Sequence, residues 1–415
     1  MGADAIRPKE SANRADVSGT HHAAEFFAGV GLVGDALRAE GISVAWANDI
    51  DPVKERLFKA NHDPQVFRRD DIRNVKGRQI PDVDLATASF PCTDVSLAGN
   101  RAGLAGEQSG MFWELTRVLE EMDGVAPRVI LLENVVGFSS SNGGEDLRSA
   151  FERLNHLGYT CDLVLVDAKW FVPQSRPRLF IVGSLDPLNG EAASLLTKSA
   201  MRPAWYSEFV GRHPELRTQT FALTPPHLDV GGLDAIVERL PFSDECWWGE
   251  DRTRAFLNSL SEINRDRLAC LTAYDEVTWR TAYRRTRQGR PVWEIRRDAV
   301  SGCLRTARGG SSKQAVVEAG AGGVRIRWMT AREYARLQGA PDFDLGGVSE
   351  TQAMFGFGDA VCVPAVRWLV ANYVRPLLER RMPERYESCQ APGTVSISST
   401  TTTKSRSTWA RPTNA

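Results

Sequence analysis

At 415 residues, 42% hydrophobic and 25% charged, the chain is long enough for two or three domains, and one large and one smaller domain are expected. No stretch approaches the roughly 18 consecutive apolar residues of a membrane span, and the first twenty residues carry neither an apolar signal core nor, with Ile6, a myristoylation signal, so a membrane protein is not expected and a cytoplasmic location is. A net charge of −1 gives the molecule as a whole no pull toward a polyanion.

Along the chain, residues 1–20 and the Ser/Thr-rich residues 388–415 read as disordered tails. From His22 to about Leu185 short apolar runs alternate with helical stretches, which predicts βα units around a mostly parallel sheet. The expected strands are Ala23–Phe27, Ser43–Asn48, Leu85–Ser89, Val129–Glu133, Thr160–Asp167 and Leu179–Val182. Helices are expected after the first glycine loop, after Asp51, over Gly110–Met122 and over Glu145–Leu157. From about Asp186 to Val324 the alternation fails, and this Arg-, Trp- and Pro-rich stretch reads as short strands and loops of a second domain. The helical pattern returns at Thr330–Gln338 and near Val363–Arg380, so the first domain (21–185) is expected to resume over 325–387 after an insertion spanning 186–324.

The residues able to carry chemistry fall at the carboxyl ends of the strands, where open α/β sheets place ligands. Phe27-Ala28-Gly29-Val30-Gly31 opens a helix, so backbone can approach a nucleotide-like ligand there, although tight packing alone also explains such glycines. Asp49, at the end of the next strand, can accept hydrogen bonds from ribose hydroxyls, and Asp71 is a further acid ahead of the strand that leads to Pro91. Pro91 fixes the backbone before Cys92 and presents a thiol at the ligand edge; a buried packing cysteine is the alternative. Asp94–Gly110 reads as a lid. Glu133 ends an apolar strand, where a carboxyl is costly unless it faces a cleft or a partner. Arg176 and Arg178 share one side of an extended segment and can grip a carboxylate or phosphate, or form a surface ion pair. From Arg280 to Arg308 nine arginines (280, 284, 285, 287, 290, 296, 297, 305 and 308) face only Glu294 and Asp298, with Trp279, Tyr283 and Trp293 interleaved, which suits a phosphate backbone or a solvated basic surface. The seven cysteines (92, 161, 246, 270, 303, 362 and 389) form no CxxC pairs, so neither a disulfide framework nor a zinc site is expected.

The order Phe27-Ala28-Gly29-x-Gly31, Pro91-Cys92, Glu133-Asn134-Val135, Gln174-x-Arg176-x-Arg178 and Thr330-Ala331-Arg332-Glu333-Tyr334-Ala335-Arg336-Leu337-Gln338-Gly339 resembles the C5-cytosine-specific DNA methyltransferases of the bacterial modification type. The resemblance covers all but the tails; each motif is weak alone, and the five in register are specific.

The resemblance implies a Rossmann-like S-adenosylmethionine-dependent methyltransferase sheet with a smaller inserted target recognition domain. It assigns cofactor contacts to Phe27, Ala28, Gly29, Val30, Gly31, Asp49, Ile50, Asp71, Ile72, Pro91, Asp359 and Ala360. Cys92 would attack C6 of a flipped-out cytosine in a short double-stranded DNA site, Glu133 would protonate or hydrogen-bond N3 and the exocyclic amine, Arg178 would hold the O2 side, and Arg176 would orient Glu133 or a phosphate. Arg284, Arg285, Arg305, Arg308, Gly309 and Gly310 are the expected DNA contacts, the enzyme a monomer, and a cognate restriction endonuclease of the same site its potential companion. Three positions depart from the family pattern: Thr93 stands for a common Gln, Asp359 for Asn, and Ile50 for a Trp that stacks near the adenine. A tRNA cytosine-5 methyltransferase of the same fold is the nearest alternative, disfavoured by the long Arg-rich insertion and the lack of Cys-Phe-Thr. A catalytically silent DNA-binding relative has only Thr93 and Asp359 in its favour. An NAD-dependent oxidoreductase leaves Pro91-Cys92 and Glu133 without a role.

Overall fold

A computed structural model describes residues 21–91, 110–122, 124–186, 199–226, 230–306, 313–320 and 322–379. Its larger sheet has seven strands: β1 (His21–Phe26), β2 (Ile42–Asp49), β3 (Phe67–Arg69), β4 (Leu85–Ser89), β5 (Val129–Val135), β6 (Thr160–Asp167) and β7 (Pro177–Ser184), in the order β3-β2-β1-β4-β5-β7-β6. All run parallel except β7, which is antiparallel to β5 and β6. The strand order reverses between β1 and β4, which opens a crevice at their carboxyl ends.

The strands read as nearly unbroken apolar runs because both faces of the sheet are covered. Alternate residues go to opposite sides: Ala23, Leu85, Leu131 and Val182 join one core, while Ala24, Ala86, Ile130 and Ile181 join the other. The first core takes α1 (Leu32–Ala39) and α2 (Pro52–Asn61); the second takes α3 (Met111–Glu121) and α4 (Glu145–His156). Asp51 starts α2 by accepting hydrogen bonds from the Val53 and Lys54 amides, with Pro52 in the first turn.

β3 is a three-residue strand that the sequence reading left out, too short to show a period. The inserted stretch holds more than strands and loops: α5 (Ala204–Arg212), α6 (Glu250–Ser259) and α7 (Glu262–Thr272) all lie within it. α5 packs its Tyr206 and Phe209 onto the large sheet. The smaller sheet is antiparallel, with β8 (Thr278–Arg287), β9 (Arg290–Ile295), β10 (Gln314–Gly320) and β11 (Gly323–Trp328) in the order β11-β10-β8-β9. One of its faces packs on α6 and α7 through Ala282, Ile295, Ala315 and Val317; the other contributes Trp279 and Val316 to the core of the large domain.

The chain returns through α8 (Ala331–Leu337), α9 (Glu350–Asp359) and α10 (Val363–Leu369), which continues through a π turn to Leu378. Thr330 and Glu333 form a capping box on α8, as the Thr-x-x-Glu spacing encodes. Glu333 and Arg327 are both fully buried and ion-paired, and Glu333 also accepts the Glu238 amide, so one carboxylate joins the insertion to the returning helix. Glu350–Leu378 is long and apolar enough by mean hydropathy to cross a bilayer, although charged and polar residues interrupt it. It breaks at extended Ala360 and Cys362, and Phe357, Leu369, Tyr373 and Leu377 are buried in the first core.

Candidate active site

The crevice is built by four strand ends. After β1, Phe27 takes a left-handed conformation (φ 52°) rare for a non-glycine residue, followed by Gly29 (φ 59°) and Gly31 (φ 89°). The turn is tied to β2: the Ala28 amide donates to the Asn48 carbonyl (2.8 Å) and the Gly29 amide to Asp49 Oδ2 (2.9 Å). Asp49 Oδ1 accepts the Asp51 amide (2.9 Å), so this buried carboxylate organises the loop. A Cβ on Gly31 would stand 2.3 Å from His62 Nε2, whereas one on Gly29 would have nothing nearer than 4.0 Å. Gly31 is therefore a packing requirement, and Gly29 leaves open space.

Beside this turn, Ile50 is 62% exposed, an isolated apolar face at the end of β2. Asp71 accepts from the Arg73 guanidinium (Nε at 3.0 Å) and amide, and the bond to that guanidinium holds its carboxyl below the usual range. The side chains of Val30 and Ile72 are buried in the cores, which leaves their backbone for any ligand. Ala360 likewise offers backbone, and its carbonyl is already taken by Arg176 (2.6 Å) and Gln338 (3.0 Å).

Pro91 follows β4 and is the last described residue before Cys92; Cys92, Thr93 and the stretch 94–109 lie outside the described residues. The parallel register of β4 and β5 sets Ser89 opposite Glu133. Glu133 is 9% exposed and paired with Arg178, whose Nε is 2.8 Å from Oε1. Antiparallel pairing of β7 with β5 makes this pair, since it sets Arg178 opposite Val135, two residues from Glu133.

Arg176 is brought elsewhere. It is 2% exposed and donates to the carbonyls of Leu304 (2.8 Å), Gly358 (3.2 Å) and Ala360 (2.6 Å). These bonds stitch the start of β7 to the insertion and to the end of α9, within electrostatic reach of Glu133. Gln174 does similar work, donating to the Leu337 carbonyl and accepting the Leu304 amide. Sequence reasoning missed Cys303, whose Sγ is 3.3 Å from Arg176 Nη1 and 3.8 Å from Arg178 Nη2. Burial raises this thiol, but the guanidiniums of Arg176 and Arg178 outweigh burial and leave it below its ordinary value.

The expected DNA contacts separate. Arg284 and Arg285 are neighbours on β8 and so lie on opposite faces: Arg284 is paired in register with Trp293 on the face covered by α6 and α7, while Arg285 lies over the Tyr283 ring (4.7 Å) on the other. Arg305 is exposed, in an irregular segment that packs its backbone against Gly358. Arg308, Gly309 and Gly310 lie outside the described residues.

The family model of C-5 cytosine-specific DNA methylases matches residues 22–375. The type II methyltransferase M.Bsp6I of Bacillus sp. (strain RFL6) is 27% identical over 360 residues, 86% of this chain and 99% of its own length. The type II methyltransferase M.HaeII of Haemophilus aegyptius is 25% identical over 354 residues, 85% of this chain and 92% of its own. Among solved structures, S. pombe Dnmt2 methyltransferase aligns with a TM-score of 0.53 at 19% identity, covering 86% of this chain and 99% of that one. The Entamoeba histolytica methyltransferase EhMeth aligns with a TM-score of 0.58 at 13% identity, over 86% and 98%. At these identities the structural similarity speaks to the fold alone.

Proposed function

Because the chain belongs to the C-5 cytosine-specific DNA methylases, we propose that it methylates C5 of a flipped-out cytosine in one short sequence of double-stranded DNA, with Cys92 as covalent nucleophile and S-adenosylmethionine as donor. It acts as a monomer, as the modification partner of a restriction endonuclease of the same site. The observation that carries this reading is the Glu133–Arg178 pair at the end of β5, with Glu133 in register with Ser89 of β4, three residues before Cys92 in the sequence.

The crevice suits an adenosine-bearing donor. Gly29 leaves space where a side chain would intrude, Ile50 offers an apolar face, and Asp49 and Asp71 offer carboxylates. Phe27 to Gly31, Asp49, Ile50, Asp71, Pro91 and Asp359 would hold the donor, with the backbone of Ile72 and Ala360. When bound, the donor supplies an electrophilic methyl group.

Cytosine C5 is too weak a nucleophile to take that methyl unaided. Addition of the Cys92 thiolate to C6 breaks the ring's aromaticity and makes C5 enamine-like; after methylation, loss of the C5 proton and expulsion of the thiolate restore the ring. Arg178 pairs with Glu133 and would orient its carboxyl toward the N3 and exocyclic-amine edge of the base, where it accepts from the amine or, once protonated from solvent, hydrogen-bonds N3 as charge builds there. The base must first leave the stack, at a cost of a few kcal/mol. Arg285 and Arg305 of the insertion, which we read as the target recognition domain, meet the phosphate backbone.

The test is incubation of wild type and Cys92→Ser with DNA and methyl-labelled S-adenosylmethionine, followed by bisulfite sequencing. Label at C5 within one short sequence context, absent from the variant, is expected. Wild-type protein that binds the donor yet labels only tRNA, or nothing, would overturn the reading.

A further inference from the structure

Lys54 stands in the first turn of α2, one turn after the strand-end acid Asp49. Its Nζ lies 3.2 Å from Asp359 Oδ2 at the end of α9, so the pair joins two walls of the crevice that come from opposite ends of the chain. α9 is drawn close enough for this by its glycines: a Cβ on Gly356 would stand 2.7 Å from Val30 Cγ1 and 3.1 Å from Leu57 Cδ1. The Lys54 side chain is 22% exposed and that of Asp359 is 50% exposed. Burial alone would lower the lysine, but Asp49 and Asp359 outweigh it and hold the ammonium more firmly charged than usual.

We infer that Lys54 is a positioning residue for the cofactor, the counter-ion that lets this chain carry an acid at Asp359. The inference rests on the reading of the crevice as the S-adenosylmethionine site. A carboxylate at Asp359 accepts hydrogen bonds but cannot donate one, and with Asp49 and Asp51 also close to Lys54 it would add a third uncompensated negative charge to this side of the crevice, unfavourable to a donor that carries a carboxylate of its own. Lys54 cancels that charge and holds the end of α9 against the glycine turn.

The test measures binding of S-adenosylhomocysteine by calorimetry to wild type, Lys54→Met, Lys54→Arg and the double variant Lys54→Met/Asp359→Asn. Lys54→Met is expected to bind about tenfold more weakly, while Lys54→Arg and the double variant return to within about threefold of wild type. Rescue by Asp359→Asn separates charge compensation from mere support of the fold, since the double variant lacks the ion pair altogether. If wild type binds and the double variant remains as weak as Lys54→Met, or Lys54→Met binds like wild type, the inference fails while the cofactor site stands. If wild type does not bind the probe, both fall.

Discussion

Glu25 shows how much one side chain can be governed by its surroundings. It lies in β1, 1% exposed, with both carboxyl oxygens buried without a hydrogen bond of normal geometry and with Gly34 of α1 close by. Burial, then the charge of Asp35, push its pKa up to about 8 from an ordinary 4.5. Between those values the folded state holds a proton that the unfolded chain releases, so stability is fully present below about 4.5 and falls as pH rises toward 8. Glu25→Gln cannot ionise and escapes this loss. Its unfolding free energy should match wild type near pH 5 and exceed it at pH 9 by a difference on the order of a few kcal/mol, seen as a higher midpoint there. Calorimetric melts at the two pH values decide the matter, and an equal gap at both would refute it. Residue identity at this position is plain in the sequence, but its burial is not, because it follows from α1 lying across the strand.

The β1–α1 turn is the element on which the crevice depends, and its two glycines have different reasons to be there. Both have positive φ, but only at Gly31 is the space for a side chain occupied, by Phe58 of α2 and by His62, which caps that helix. Gly29→Ala should lower stability by about 1–2 kcal/mol, the cost of the left-handed backbone alone. Gly31→Ala adds overpacking and should cost roughly 1–3 kcal/mol more. Urea unfolding of the two variants checks this; equal losses would show that the contact with α2 relaxes freely. The pattern of the turn is legible in sequence as Phe-Ala-Gly-x-Gly after an apolar run. α9 was not legible, because Gly356 and Gly358 look like helix breakers. They are present because a Cβ would collide with Val30 at the first and with the backbone of Arg305 and Thr306 at the second.

For the molecule as a whole, the join between the two sheets decides whether the insertion keeps its station over the crevice. Arg327 of β11 and Glu333 of α8 are buried without exposure, and Arg327 also donates to the Glu238 carbonyl. Arg327→Met would strand a carboxylate in the core and should cost about 3–5 kcal/mol. Adding Glu333→Gln removes the stranded charge and should recover part of that loss. Thermal melts with limited proteolysis follow both effects, and a double variant no more stable than Arg327→Met would count against a charge-based origin.

What this sequence determined by itself is local and ordered along the chain: the strand-end motifs, the Asp51 and Thr330 caps, the apolar strands and the interruption by an Arg-rich insertion. These depend on neighbours a few residues away, so period, capping and turn chemistry reveal them. Tertiary structure alone decided which of two similar residues does which work. Arg176 and Arg178 share one side of the same segment, yet one is buried across three carbonyls and the other meets Glu133. Val30 and Ile72 turn into the cores, and Lys54 finds Asp359 across the fold. The partners in each case come from distant strands and helices, and only sheet register and helix packing bring them together.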